Sequence, residues 1–392
     1  MNATALRAGF IPLVDCAPLA IAREIGFAEE EGLSLELTAA PSWSALRDEL
    51  ALGQIEAAHM LAPVPVAMAL GLGGMPARLD AVAVLSVNGN VVGVSAQLAE
   101  RLAAQGHEFG FDDAYAAGRA LLAAAEGTLR MGVPFPFSMH AELVYYWLAA
   151  LGLPSPQGLD VRTVPPPLMA AALARGEIDA FCVGEPWGSI AVEEGHGALL
   201  LPGSAIWAGA CEKVLAVRHD WAEADPVRTA QLIRATWRAQ RWISHPGNLS
   251  TASEILAGPA YLDMSADIVE RALTGSLVVT GDGKRRHVPG FLRVYEGAAG
   301  FPWRSQAAWI ADRLAARLGL DRAAAAKAGR QVFRSDLYRA ALSPSLADLP
   351  GASEKVEGAI PTPTPVASQR GTLVLERDGF FDGAVFDPSA HG

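Results

Sequence analysis

The chain repeats itself at long range, and this repeat constrains the fold more than any other feature of the sequence. Leu6-Arg7-Ala8-Gly9 recurs as Leu129-Arg130-Met131-Gly132, and Gly53-Gln54-Ile55-Glu56-Ala57 recurs as Gly176-Glu177-Ile178-Asp179-Ala180. Both pairs are 123 positions apart, and Pro63 and Pro186 keep the same spacing. A constant offset over three landmarks marks one supersecondary plan used twice. Each copy reads as strand, polar turn, helix, strand, helix, strand. In the first copy the strands are expected at 6–12, 33–37 and 57–62 and the helices at 17–31 and 43–52. Ser42 is expected to cap the second helix, because its hydroxyl can accept from the free amides of the first turn. In the second copy the strands fall at 129–133, 161–164 and 180–183 and the helices at 139–151 and 166–174.

Strands alternating with helices of this length specify an α/β fold with parallel sheets and right-handed crossovers. Two such lobes enclose a cleft, and ligands of open α/β sheets sit beyond the carboxyl ends of the strands. The polar turns at 12–16, 41–43, 135–140 and 184–187 fall at those ends. Segments 85–94 and 208–217 are expected to cross between the lobes. The domain plan is then residues 1–87 for the first part of lobe 1, 88–212 for lobe 2, 213–345 for the return strand and C-terminal helices of lobe 1, and 346–392 for a Pro-rich linker with a docked C-terminal arm.

A length of 392 residues accommodates two lobes. With 51% hydrophobic residues and a mean hydropathy of +0.23, the chain is neither disordered nor a charged coiled coil. Its most apolar run, 57–74, is broken by Pro63, Pro65 and three glycines, which argues against a transmembrane span. The net charge of −11 argues against a nucleic-acid surface but not against a single buried anion site. Met1-Asn2-Ala3-Thr4-Ala5 leads into the first strand without a basic start or apolar leader, so the expected location is the cytoplasm. Cys16, Cys182 and Cys211 lack CxxC spacing and are expected to pack in the core.

The sequence contains no GxSxG elbow, no HExxH, no phosphate-cradling P-loop and no GxGxxG after a strand, so no enzyme is expected. A Cys16/His140 nucleophile pair is the one enzymatic arrangement that the repeat would allow. Candidates for a ligand site are Trp43, Asn88, Asn90, His140, Glu185, Trp187 and Lys213. Trp43 follows an N-cap at a strand's carboxyl end and is either core or cleft wall. His140 lies near a helix N-terminus, where free amides suit an anion, or is a satisfied core histidine. Lys213 stands between apolar neighbours, where a lysine either snorkels or neutralises something buried. His59, within a buried strand, is read as a hydrogen-bonded core residue.

Several long strings resemble the nitrate and bicarbonate binding proteins of cyanobacterial ABC transporters, the NrtA/CmpA-like family, which has the two-lobed type II periplasmic-binding-protein fold. The strings are Gly9-Phe10-Ile11-Pro12-Leu13-Val14-Asp15-Cys16-Ala17-Pro18-Leu19, His59-Met60-Leu61-Ala62-Pro63-Val64-Pro65, Val164-Pro165-Pro166-Pro167 with Met169, and Asp179-Ala180-Phe181-Cys182-Val183-Gly184-Glu185-Pro186-Trp187. Asp282-Gly283-Lys284, Arg286-His287-Val288-Pro289 and Phe380-Phe381-Asp382-Gly383 extend the likeness over nearly the whole chain. The resemblance implies a nitrate or nitrite site made of Trp43, the turn Asn88-Gly89-Asn90, His140 and Lys213, with Pro12, Cys16, Glu185 and Trp187 lining the cleft. A lysine at 213, where the bicarbonate branch has an acidic residue that works with calcium, implies a site without metal or other cofactor. Protonation of His140 would strengthen anion binding, so affinity is expected to rise as pH falls. For the family's amide contact, Asn90 and Gln97 are the candidates.

Without a leader, the chain is most similar to the cytoplasmic NasS-type nitrate/nitrite sensors. That likeness implies an ANTAR-domain antiterminator of the NasT type as partner, with no direct contact to nucleic acid or membrane. The rival readings are the solute-binding receptor of a nitrate or bicarbonate ABC transporter, a pyrimidine-precursor synthase on the same fold, and a receptor-like domain attached to a transporter ATPase.

Overall fold

The two copies of the repeat become two sheets in the computed structural model, which describes residues 4–154 and 156–391. The strands that matter are β1 (Thr4–Phe10), β2 (Leu33–Ala39), β3 (Ala57–Leu61), β4 (Leu79–Asn88), β5 (Asn90–Ser95), β6 (Leu129–Val133), β7 (Leu159–Thr163), β8 (Ala180–Gly184), β9 (Gly197–Pro202) and β10 (Cys211–Arg218). The first sheet runs from a short strand at Leu292–Arg293 through β4, β10, β3 and β1 to β2, and the second has the order β7, β6, β8, β5, β9. Parallel pairing of β1 with β2 and β3 matches parallel pairing of β6 with β7 and β8. One protein thus contains two versions of the same half-sheet.

The expectation of parallel sheets needs correction. The strand β10 enters antiparallel between β3 and β4, and β5 enters antiparallel between β8 and β9. These are the strands that arrive from the other sheet: β4 continues into β5 through Gly89 alone, and β9 reaches β10 through residues 203–210. Each crossing strand is joined to the other sheet and not by a crossover helix to the strands beside it, so its connection does not impose the parallel sense. The strands β3, β4, β8 and β9 are buried at every position and do not alternate; their apolar runs are interrupted only by His59 in β3 and by Asp80, Ser86 and Asn88 in β4.

Local chemistry sets the helix boundaries. Ser42 Oγ accepts from Ala45 N at 3.2 Å and opens the helix Trp43–Ala51; Ser138 Oγ does the same for Ala141 N at 3.1 Å and opens Met139–Ala150. The single helix expected over 17–31 is two, Ala17–Glu24 and Phe27–Glu30, because Gly26 between them takes φ +86°, a left-handed turn that costs glycine little. Beyond β10 a long helix, Pro226–Ile243, packs against Ala17–Glu24. The last segment returns across the molecule, and Phe380 stacks on Trp207 at 4.6 Å and on Trp309 at 5.8 Å. No helix among the described residues is long and apolar enough to cross a membrane.

Candidate functional site

A chain of buried polar groups runs through the crevice between the two sheets. His59 Nε2 on β3 lies 2.9 Å from Asp15 Oδ1, in the turn after β1. Asp15 Oδ2 accepts from Lys213 Nζ at 2.8 Å, and Lys213 donates again to Glu212 Oε1 at 3.0 Å. Asn90 Nδ2, at the start of β5, donates to Glu212 Oε2 at 2.7 Å. The ring of Trp43 stands over this chain, 5.7 Å from Lys213 Nζ and 5.6 Å from the His59 ring. Lys213, Glu212, His59, His140 and Asn90 are fully buried, and Asp15 and Trp43 nearly so. The β1 turn, β3 and β10 therefore provide one wall, and His140 from the other copy of the repeat closes the opposite one.

Lys213 and Glu212 are neighbours on one strand and would ordinarily face opposite sides of the sheet. The pairing of β10 with β4 slips between Cys211 and Lys213 and again between Lys213 and Val214. Such a bulge re-aims side chains, and here both charges reach the same crevice.

Several polar atoms in the crevice have no hydrogen-bond partner among the described residues: Trp43 Nε1, His59 Nδ1, both ring nitrogens of His140, and the Oδ1 atoms of Asn88 and Asn90. His140 Nδ1 lies 3.1 Å from Glu212 Oε1, but off the line of a hydrogen bond, so the ring remains unpaired. Buried polar atoms are normally satisfied, and the unpaired Trp43 Nε1 and His140 ring beside the Lys213 ammonium mark a place prepared for a polar ligand.

The charges are set by burial and then by neighbours. Burial pushes Asp15 up, but the adjacent Lys213 ammonium and His59 more than offset this and hold the carboxylate well below its ordinary range. Burial would lower Lys213; its two carboxylates outweigh that and keep it charged. Glu212 is pushed up to about 7 by burial, against the pull of Lys213 and Asn90. Burial lowers His59 despite Asp15, and it lowers His140 much further, with Lys213 adding to the effect. Burial and Lys213 thus both work against a charge on His140, and its surroundings lend no support to the expectation that its protonation tunes binding. Among the groups that contact Lys213, Glu212 is the one raised into the neutral range, and nothing in its sequence context singles it out.

The other expected residues divide into those at the crevice and those turned away. Asn88 (φ +61°) and Gly89 (φ +94°) form the tight link between the sheets, where Asn88 Nδ2 donates to Ala208 O at 2.8 Å and Gly89 O accepts from Glu185 N at 3.1 Å. Pro12 and Trp187 meet across the lobes, with Trp187 Nε1 donating to Pro12 O at 2.8 Å. Glu185 contributes only its backbone there, its carbonyl accepting from Val14 N at 3.0 Å. Its carboxylate instead accepts from Ser189 N at the start of its own helix, and burial raises it to about 7. Cys16 does not line the crevice: it belongs to the buried apolar cluster that includes Phe10, Leu19 and Leu35 and excludes Trp43, and burial pushes its thiol up, so no Cys16/His140 nucleophile pair forms. Gln97 is exposed, which leaves Asn90 as the amide at the site.

One group of potential metal ligands lies elsewhere. Asp80, His219 and Glu223 bring ligand atoms within 4.8 Å of one another, but Arg334 Nη1 already contacts Asp80 at 2.7 Å and Glu223 at 2.8 Å and supplies the positive charge.

Comparison with known proteins points the same way as the crevice. Residues 1–257 match the NMT1-like family. The nitrate/nitrite binding protein NrtA of Nostoc sp. is 31% identical, over 99% of this chain and 84% of its own. The nitrate import ATP-binding protein NrtC of Synechocystis sp. is 32% identical over 78% of this chain, which spans only 45% of that longer relative. The crystal structure of the periplasmic nitrate-binding protein NrtA from Synechocystis superposes with a TM-score of 0.85 at 25% identity, covering 100% of this chain and 97% of that one.

Proposed function

Because this chain belongs to the NMT1-like family, and within it to the NrtA/CmpA-like binding proteins, we propose that it binds a small planar oxyanion, nitrate or nitrite, between its lobes. The observation that carries this reading is the set of unpaired donors around a buried lysine: Trp43 Nε1 and His140 next to Lys213. Nitrate is singly charged and weakly hydrated, so a few neutral donors, one cation and an aromatic wall suffice to hold it in a dry site. The residues assigned to it are Trp43, Asn90, His140 and Lys213, with the link Asn88-Gly89 holding the lobes in register. Asp15 and Glu212 join this set as the partners of the lysine. Catalysis and a resident cofactor are not part of the proposal. Isothermal titration with nitrate, nitrite, bicarbonate and sulfate tests it; a protein that responds to none of these below pH 7 does not have this function.

For the setting we infer a cytoplasmic sensor that closes on the anion and so changes the surface offered to an ANTAR-domain antiterminator. The resemblance to NasS-type sensors supports this, and so does the net charge of −11, which leaves RNA contact to a protein partner. The alternative is a solute-binding receptor of a nitrate or bicarbonate transporter. The relatives favour it, since NrtC is an import ATP-binding protein and the Synechocystis NrtA is periplasmic. Pull-down of an ANTAR-domain protein, released by nitrate or nitrite, separates the two: retention that ignores both anions removes the sensor.

A further inference from the structure

Counting charges in the crevice exposes a difficulty for any anion. Lys213 supplies one positive charge, and it already contacts two carboxylates, Asp15 at 2.8 Å and Glu212 at 3.0 Å. With both carboxylates ionised, the pair of acids exceeds the lysine by one negative charge, and an entering anion would make the excess two in a site closed to water. The cost of an uncompensated buried charge is several kcal/mol, more than a few neutral donors return.

One group can remove the difficulty. Glu212 Oε1 lies between Lys213 Nζ and His140 Nδ1, and Oε2 is held by Asn90, so a proton on this carboxyl is accommodated without rearrangement. The protonated acid no longer repels the anion, and the Trp43 and His140 groups remain to receive it. Building on the function proposed above, we propose that binding of the anion is coupled to uptake of one proton at Glu212, which makes this residue the determinant of anion affinity across physiological pH.

Every other titratable group facing Glu212 is set against taking that part. Asp15, across Lys213, is held ionised, and His59 behind it is kept neutral by burial. His140 opposite is neutral for the same reason, and burial raises the thiols of Cys182 on β8 and Cys211 on β10 well above their ordinary value, so both stay protonated. Glu185 is also raised to about 7, but its carboxylate is turned to Ser189 N and does not touch the lysine; of the groups that contact Lys213, Glu212, pushed up to about 7, is the one whose proton is exchangeable in the working range. The sign follows: below pH 7 the free site is already protonated, and above it each bound anion must bring a proton, so affinity falls as pH rises.

The test is nitrate titration calorimetry on the full chain from about pH 6 to pH 9, with a calcium chelator, in two buffers of different ionisation enthalpy. The expected result is an affinity that falls about tenfold per pH unit above pH 7, with proton uptake approaching one per nitrate. Glu212→Gln, which keeps the shape and cannot ionise, should bind nitrate without uptake and at constant affinity. If that variant fails to fold, the buffer comparison on the wild type still decides. Tight nitrate binding with flat affinity and no uptake overturns the proton coupling and leaves the proposed function intact. Binding that returns only with calcium also overturns it, because a cation would then be neutralising Glu212. Absence of nitrate, nitrite or bicarbonate binding even at pH 6 removes both.

Discussion

Two lysines in this protein have the same immediate company and different surroundings. Lys213 sits between Asp15 and Glu212 in the crevice, and Lys355 sits between Glu357 and Asp378 under the C-terminal segment. The second group is closed on itself. Ser305 Oγ donates to Glu357 Oε1 at 2.6 Å and accepts from Lys355 N at 3.2 Å, while Asp378 Oδ1 accepts from Ile360 N at 2.8 Å. It fastens the last segment to the helix Arg304–Leu318. Around Lys213 the indole of Trp43 and the ring of His140 are left without partners. The same three charges therefore make a clasp where the polar atoms are all satisfied, and a binding site where some are not.

Removing each lysine is the strongest way to break this comparison. Lys213→Met leaves Asp15 buried without its lysine and held by His59 alone, so it should cost about 3–5 kcal/mol in chemical denaturation and weaken nitrate binding by roughly a hundredfold or more. Lys355→Met should cost a similar amount of stability and expose the C-terminal segment to proteolysis, yet leave the nitrate Kd of the folded protein within about twofold. Equal losses of affinity in the two variants would end the distinction between clasp and site.

A smaller effect comes from pH. A folded pKa of about 7 for Glu212, against 4.5 for an ordinary glutamate, means that the folded protein holds this proton more tightly. That stabilising contribution is complete below about pH 4.5 and is lost as pH rises to 7. Asp15 has the opposite sign: its depressed pKa stabilises above about pH 4, and the benefit disappears as pH falls. Without ligand, the wild type should lose on the order of 3 kcal/mol relative to Glu212→Gln between about pH 4.5 and 7. Parallel stability curves for the two proteins would remove Glu212 as the titrating group.

The contrast also shows what was legible in the chain beforehand. The repeat gave away the paired sheets, and the serine at 42 announced its helix, because period and capping are local signals. Trp43, His140 and Lys213 were identifiable from position and resemblance, and the structure brings them together. Glu212 stands next to Lys213 and Asp15 next to Cys16, yet neither carries a local signal of its place. Glu212 reaches the crevice only because β10 slips its register, and a bulge has no reliable signature in sequence. Asp15 and Cys16 are adjacent in one turn, yet Asp15 faces the crevice and Cys16 the core, and only the folded backbone decides which. The antiparallel entry of β5 and β10 was equally hidden, since it depends on where a crossing strand finds its neighbours.

The smallest effects should separate the two groups most cleanly. Trp43→Phe keeps an aromatic wall and deletes an N–H that has no partner among the described residues, so little hydrogen-bonding energy is lost on folding. The bound anion loses a donor, which should weaken nitrate by about 1–2 kcal/mol, or roughly five- to thirtyfold. Ser305→Ala is its mirror image: Glu357 loses a donor within the protein, stability should fall by about 1–2 kcal/mol, and nitrate affinity should stay unchanged. The double variant should combine the two effects additively, because the groups share no residue. If calorimetry finds nitrate affinity untouched in Trp43→Phe while denaturation shows a loss of stability, the indole is part of the core, and the unpaired donor that separates the Lys213 group from the Lys355 group loses its meaning.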